Sequence, residues 1–126
     1  MRRRSVIDDE PQILRLMERV LREDYEVLTA ANAIDGYALM CQQKPDLVLL
    51  DVMMPMLDGW TLLRKIWSNR ALSTTRVIVV TGLGPEAAAH EAGRLGVMSI
   101  LYKPVLLSQL VKAVREALAA SVPEQT

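Results

Sequence analysis

Three features of this sequence predict a parallel α/β fold, a single sheet with helices on both faces. Short apolar runs alternate with helical patterns along the chain, in about five strand–helix units. Two of the runs, "DLVLL" (46–50) and "VIVV" (77–80), show no polar alternation, the pattern of strands buried on both faces. No linker or low-complexity stretch interrupts the alternation, and 126 residues suit one domain with right-handed crossovers between its strands.

In order, "SVI" (5–7) reads as a short first strand. Pro11 suits the first turn of a helix whose inner face is Ile13, Leu14, Met17, Val20 and Leu21. "YEVLTA" (25–30) is the second strand. Asn32 caps the next helix, with Asp35 in a capping-box position and Leu39 and Met40 turned inward. The third strand, 46–50, is followed by a helix opened by Asp58-Gly59 and carrying Leu62, Leu63, Ile66 and Trp67. After 77–80 comes a small-residue helix, 85–96, ended by Gly96. "SIL" (99–101) is the last strand, and Leu107, Leu110, Val111, Val114 and Leu118 mark the final helix. The domain is expected over 1–120, with 121–126 as a polar tail.

Composition narrows the function. Basic and acidic residues number 15 each, which argues against a nucleic-acid or membrane surface. The arginines of "MRRRS" read as a solvated lead-in to the first strand. One cysteine, Cys41, rules out a disulfide framework and fits a reducing cytosol. No apolar run approaches the roughly 20 residues of a membrane helix, and no signal peptide is evident, so a cytoplasmic location is expected.

In open α/β sheets ligands bind beyond the carboxyl ends of the strands. Here those ends carry Asp8-Asp9, Asp51, Thr81-Gly82 and Tyr102-Lys103-Pro104. Asp51 ends an apolar run, and a carboxylate in such a setting must be compensated. Carboxylates about 4 Å apart repel by roughly 4 kcal/mol at an effective dielectric near 20. A hard divalent ion relieves this, and Mg²⁺ favours one or two carboxylates with water and phosphate oxygens. Histidine and cysteine do not cluster to suit zinc, and His90 lies on the presumed surface helix. Lys103 and the Thr81 hydroxyl suit a compact anion, and Gly82 leaves its amide open to close approach. Mg²⁺ with a phosphoryl group follows, a carboxylate being the best nucleophile.

The stretches "VIDDEP", "LLDVMMPMLDGW", "VIVVTG" and "LYKP", in this order at these strand ends, resemble the receiver domain of two-component response regulators, the CheY-like superfamily. The resemblance covers nearly the whole chain. It implies a flavodoxin-like (βα)5 domain with strand order 2-1-3-4-5. It also implies that Asp51 accepts a phosphoryl group from a sensor histidine kinase or a phosphotransfer protein. Asp9 would ligate Mg²⁺ directly, Asp8 through water, and Asp51 and the backbone carbonyl of Met53 would complete the protein's share. Lys103 would pair with the phosphoryl oxygens and Thr81 would turn toward them. The chain would be a phosphorylation-activated switch, catalysing its own phosphorylation and dephosphorylation but turning over no separate substrate. Its partners would be the kinase and a downstream protein or a second copy, met through the last two helices and last strand. Direct contact with nucleic acid or membrane is not expected.

Some positions depart from that family. Ile100 occupies the place three residues before Lys103 where a Tyr or Phe ring is usual, and its branched side chain is stiff. Tyr102 is expected on the opposite face of the strand, which leaves the aromatic relay unsupported. Met53 and Leu83 flank the approach to Asp51 with apolar groups, where polar ones would orient a hydrolytic water. Leu106 and Leu107 are expected to leave apolar surface near the last strand. Two rivals remain. A Mg²⁺-dependent aspartyl phosphatase generally carries a second acid two residues after its nucleophile, where this chain has Met53. A degenerate receiver acting without phosphorylation would not need the acid pair, Asp51, Thr81 and Lys103 together.

Overall fold

The computed structural model describes residues 3–7, 10–52, 59–82, 84 and 97–119, with side chains from Glu10 onward. Five strands form one sheet: β1 (Arg3–Ile7), β2 (Glu26–Ala30), β3 (Leu47–Leu50), β4 (Arg76–Thr81) and β5 (Ser99–Tyr102). Their order is β2-β1-β3-β4-β5, and every pairing is parallel, as expected. The described helices are α1 (Pro11–Leu21), α2 (Ala33–Gln43), α3 (Gly59–Ser68) and α4 (Leu107–Ala119). The helix expected over 85–96, with Gly96 and His90, lies outside the described residues, as do Asp58 and the expected tail 121–126.

Strand alternation with apolar residues on both faces builds two cores. Val48, Leu50, Val77 and Val79 point to one side, where Met40 of α2 and Leu62, Leu63 and Ile66 of α3 cover them. Leu47, Leu49, Ile78 and Val80 point to the other, under Met17 and Leu21 of α1 and Leu110 and Val114 of α4. All of β3 is at most 1% exposed, so each of its side chains contributes about 1.5–3 kcal/mol of burial.

Four details differ from the sequence expectation. β1 is not short, because Arg3 and Arg4 pair with Glu26 and Val27, and Arg4 also with Leu47. The sheet's backbone bonding extends through them whatever their polarity, so these arginines belong to the strand rather than to a lead-in. β4 and β5 also run one residue further, which brings Thr81 and Tyr102 into the sheet. A 3₁₀ turn, Arg70–Leu72, was not foreseen. Asn69 caps it by accepting from the Ala71 amide (3.0 Å) and also donates to the Tyr37 hydroxyl (3.2 Å). In α4 the inner face is completed by Ala113 and Ala117, while Leu107 is 48% exposed.

Asn32 does cap α2, accepting from the Asp35 amide at 2.8 Å and donating to its carboxylate at 2.9 Å. The amino edge of the sheet is tied by Thr75, whose buried hydroxyl donates to the Pro45 carbonyl, and by the Arg76 amide, which donates to the Asp46 carbonyl. The chemistry-bearing residues lie at the opposite, carboxyl edge.

Candidate functional site

β3 delivers Asp51 directly from its buried run, leaving the residue 2% exposed. Lys103 compensates it across the sheet: its Nζ donates to Asp51 Oδ2 at 3.0 Å. Lys103 reaches there because its backbone amide donates to the Thr81 carbonyl (2.8 Å), which carries the β4–β5 ladder one residue beyond the last pair, Thr81 and Tyr102. Lys103 is followed by a cis peptide bond to Pro104. Thr81, 0% exposed, closes the floor between β3 and β5. The pair's attraction is about 5 kcal/mol at an effective dielectric near 20, and desolvation of the buried carboxylate offsets much of it.

The same ammonium has a second carboxylate. Lys103 Nζ donates to Glu10 Oε1 at 2.8 Å, across 93 residues of chain. Glu10 occupies the N-cap position of α1, yet its side chain makes no capping bond; its carbonyl accepts from the amides of Ile13 and Leu14. Sequence reasoning passed over it. "DDEP" offered a signal, an acid just ahead of a helix-opening proline, but nothing local points that acid at Lys103.

Backbone proximity fixes the far side of Asp51. The Gly59 amide donates to the Val52 carbonyl at 3.2 Å. A Cβ at Gly59 would collide with Val52 Cα and lie 2.5 Å from the Asp51 carbonyl oxygen. Gly82, singled out in the sequence, is exposed, and a Cβ there would meet nothing within 4 Å. The glycine this geometry requires is therefore Gly59, where α3 abuts the strand end.

Of the remaining site residues expected from sequence, Asp8, Asp9, Met53 and Leu83 lie outside the described residues. Asp8 and Asp9 follow Ile7, which is in register with Leu50, the residue before Asp51. One expectation is corrected. Ile100 and Tyr102 are two residues apart and so share a face of β5. Ile100 packs into the same core as Val79, its register partner, whereas Leu101 joins the other core with Val80. Tyr102, in register with Thr81, therefore lies on Thr81's face of the sheet, not the opposite one.

Fold and site together define a small flavodoxin-like α/β domain with its ionised groups gathered at the carboxyl edge of the sheet. The chain belongs to the response regulator receiver domain family, whose model matches residues 5–115. It is 35% identical over 120 residues to protein PilH of Pseudomonas aeruginosa, covering 94% of this chain and 99% of that one. It is 34% identical to the transcriptional regulatory protein GlrR of Escherichia coli, covering 94% of this chain but 26% of the regulator. Among solved structures, a receiver domain protein from Clostridium thermocellum superposes with a TM-score of 0.85 at 32% identity, covering 94% of this chain and 95% of that one. A CheY-like receiver domain protein from Methanospirillum hungatei does so with a TM-score of 0.87 at 29% identity, covering 94% of each. Membership places the chain in two-component signalling, where receiver domains act as switches between kinases and downstream effectors rather than as substrate-turnover enzymes. No described helix is long and apolar enough to cross a membrane.

Proposed function

We propose that this receiver accepts a phosphoryl group on Asp51 from a sensor histidine kinase or phosphotransfer protein and thereby changes its partner-binding surface. The observation that carries this reading is a carboxylate 2% exposed at a strand end, with the Lys103 ammonium 3.0 Å away. In the transfer, an Asp51 oxygen bonds to phosphorus as the bond to the donor's imidazole nitrogen breaks. The electron pair stays with the imidazole, which takes a proton. Lys103 stabilises the charge that collects on the phosphoryl oxygens.

The donor set suits Mg²⁺, since every donor is a hard oxygen, and of that set Asp51 lies among the described residues, at the carboxyl edge of the sheet. Asp9, Asp51 and the Met53 carbonyl would hold the ion directly and Asp8 through water; when bound it supplies positive charge at the transferring group. A small phosphodonor should raise the intact mass by one phosphoryl group, and chelation of Mg²⁺ should abolish the gain. Uptake indifferent to chelation would refute this part of the reading.

Thr81 is the group that senses the modification, with the loop of Gly82 and Leu83 moving after it. Ile100 supplies no ring to bury. Tyr102, as Thr81's cross-strand neighbour, is the aromatic group placed to follow it. The output surface is the face of β5 and α4. A groove of about 560 Å³ there is lined by Leu101, Tyr102, Pro104, Leu106 and Gln109, and Leu106 and Leu107 are 61% and 48% exposed.

The phosphorylated state is expected to be long-lived. Met53 and Leu83 give a hydrolytic water no hydrogen bond, and losing such positioning raises a barrier by roughly 1–3 kcal/mol, about one to two decades in rate. Purified Met53→Asn and Leu83→Glu variants should lose their phosphate faster than the parent. Equal rates would remove the apolar-shielding explanation.

A further inference from the structure

The ammonium of Lys103 is shared, and the second sharer differs from the first in what it does. Asp51 is buried; Glu10 is 56% exposed, at the mouth of the site, on the residue that begins α1. A helix-capping position normally uses its side chain on the helix's own amides. Glu10 instead spends its carboxylate on Lys103 at 2.8 Å, slightly closer than the 3.0 Å contact to Asp51. We infer that Glu10 is a positioning residue for Lys103, a competing counter-ion that an incoming anion must displace before Lys103 can pair with it. The inference rests on the phosphoacceptor reading of Asp51 and adds a regulator of that site.

The physical argument is a balance of charge. The Lys103 ammonium is within hydrogen-bond distance of both carboxylates, Glu10 at 2.8 Å and Asp51 at 3.0 Å. A phosphoryl group arriving beside Asp51 adds negative charge at the buried end of this row. Lys103 is drawn inward, and Glu10 is left to water, which its exposure makes cheap. Glu10 therefore weakens the site's hold on anions without taking part in bond making. An exposed pair of this kind is worth about 0.2–1 kcal/mol, so removing the Glu10 charge should tighten anion binding by up to about fivefold.

The test follows phosphoryl uptake from acetyl phosphate at saturating Mg²⁺, with the parent, Glu10→Gln and Glu10→Asp. In Glu10→Gln the half-saturating donor concentration should fall by about two- to fivefold, with the saturating rate unchanged and the difference fading at high salt. Glu10→Asp keeps the charge and should stay near the parent. A half-saturating concentration that is unchanged or raised in Glu10→Gln overturns the inference. A second arm needs no chemistry: the urea midpoint is measured for Glu10→Gln in the parent and in Asp51→Asn. With Asp51 neutral, Lys103 loses one of these two carboxylates and holds Glu10 more firmly, so Glu10→Gln should lower the midpoint more in Asp51→Asn than in the parent. Additive shifts would overturn the inference. A parent that takes up no phosphoryl group refutes the phosphoacceptor reading, and the midpoint arm then decides on Glu10 by itself.

Discussion

Lys103→Met is expected to cost the fold about 2–4 kcal/mol and to slow phosphoryl uptake about a hundredfold or more. Asp51 is 2% exposed and Lys103 16%, so the pair is nearly dry and removing its cationic half takes a close positive charge from a buried carboxylate. Breaking a fully buried pair costs about 3–5 kcal/mol; the partial exposure of Lys103 lowers the figure. The loss in rate has a separate origin, because a fixed positive charge is missing where negative charge collects during transfer. Added Mg²⁺ should restore part of the stability by binding the folded state alone. Lys103→Arg keeps the charge and should recover most of the stability. Urea unfolding and intact-mass kinetics measure the two effects. A Lys103→Met protein with the parent's midpoint and the parent's rate would show that the ion pair supports neither the fold nor the transfer.

Gly59→Ala should be comparably damaging, by about 2–4 kcal/mol, although it adds one methyl group. The added carbon meets backbone, Val52 Cα and the Asp51 carbonyl oxygen, which no change of rotamer can move aside. Relief requires α3 to retreat from the end of β3, which would strain the Gly59–Val52 hydrogen bond and shift Asp51 itself. Phosphoryl uptake should therefore fall along with the urea midpoint. Gly84→Ala is the control: that position is exposed, a Cβ there meets nothing, and the change should be neutral or stabilising by up to about 1 kcal/mol. Equal midpoints for the two variants would mean that the close approach at Gly59 does not constrain the site.

What was legible in the sequence followed from period and from order. The unbroken runs at β3 and β4 announced a doubly covered parallel sheet, and the inward faces of α1 and α3 were read from their spacing. Asn32 with Asp35 marked the start of α2 because a capping box is a local device. Lys103 and Asp51 were placed at one edge of the sheet in advance because both follow strands, and the topology brings strand ends together. What failed was longer in range or finer in geometry. Arg3 and Arg4 looked like solvated lead-in residues, but pairing with β2, and for Arg4 with β3 as well, carries them into the sheet. Tyr102 was assigned to the wrong face, although the period-two alternation from Ile100 fixes it beside Thr81. Glu10 was invisible because its partner lies 93 residues away. Gly59 hid behind Gly82, since a sequence records a glycine but not which backbone passes close to it.

The central claim is that Asp51 carries the phosphoryl group, and mapping the modified residue tests it most directly. The chain is phosphorylated with a small donor and Mg²⁺, the acyl phosphate is reduced with borohydride, and peptides are sequenced by mass spectrometry. The account predicts homoserine at position 51 and at no other aspartate, with no conversion in Asp51→Asn. Conversion at another aspartate, or phosphate that survives intact on a serine, threonine or histidine while position 51 stays unmodified, would contradict it.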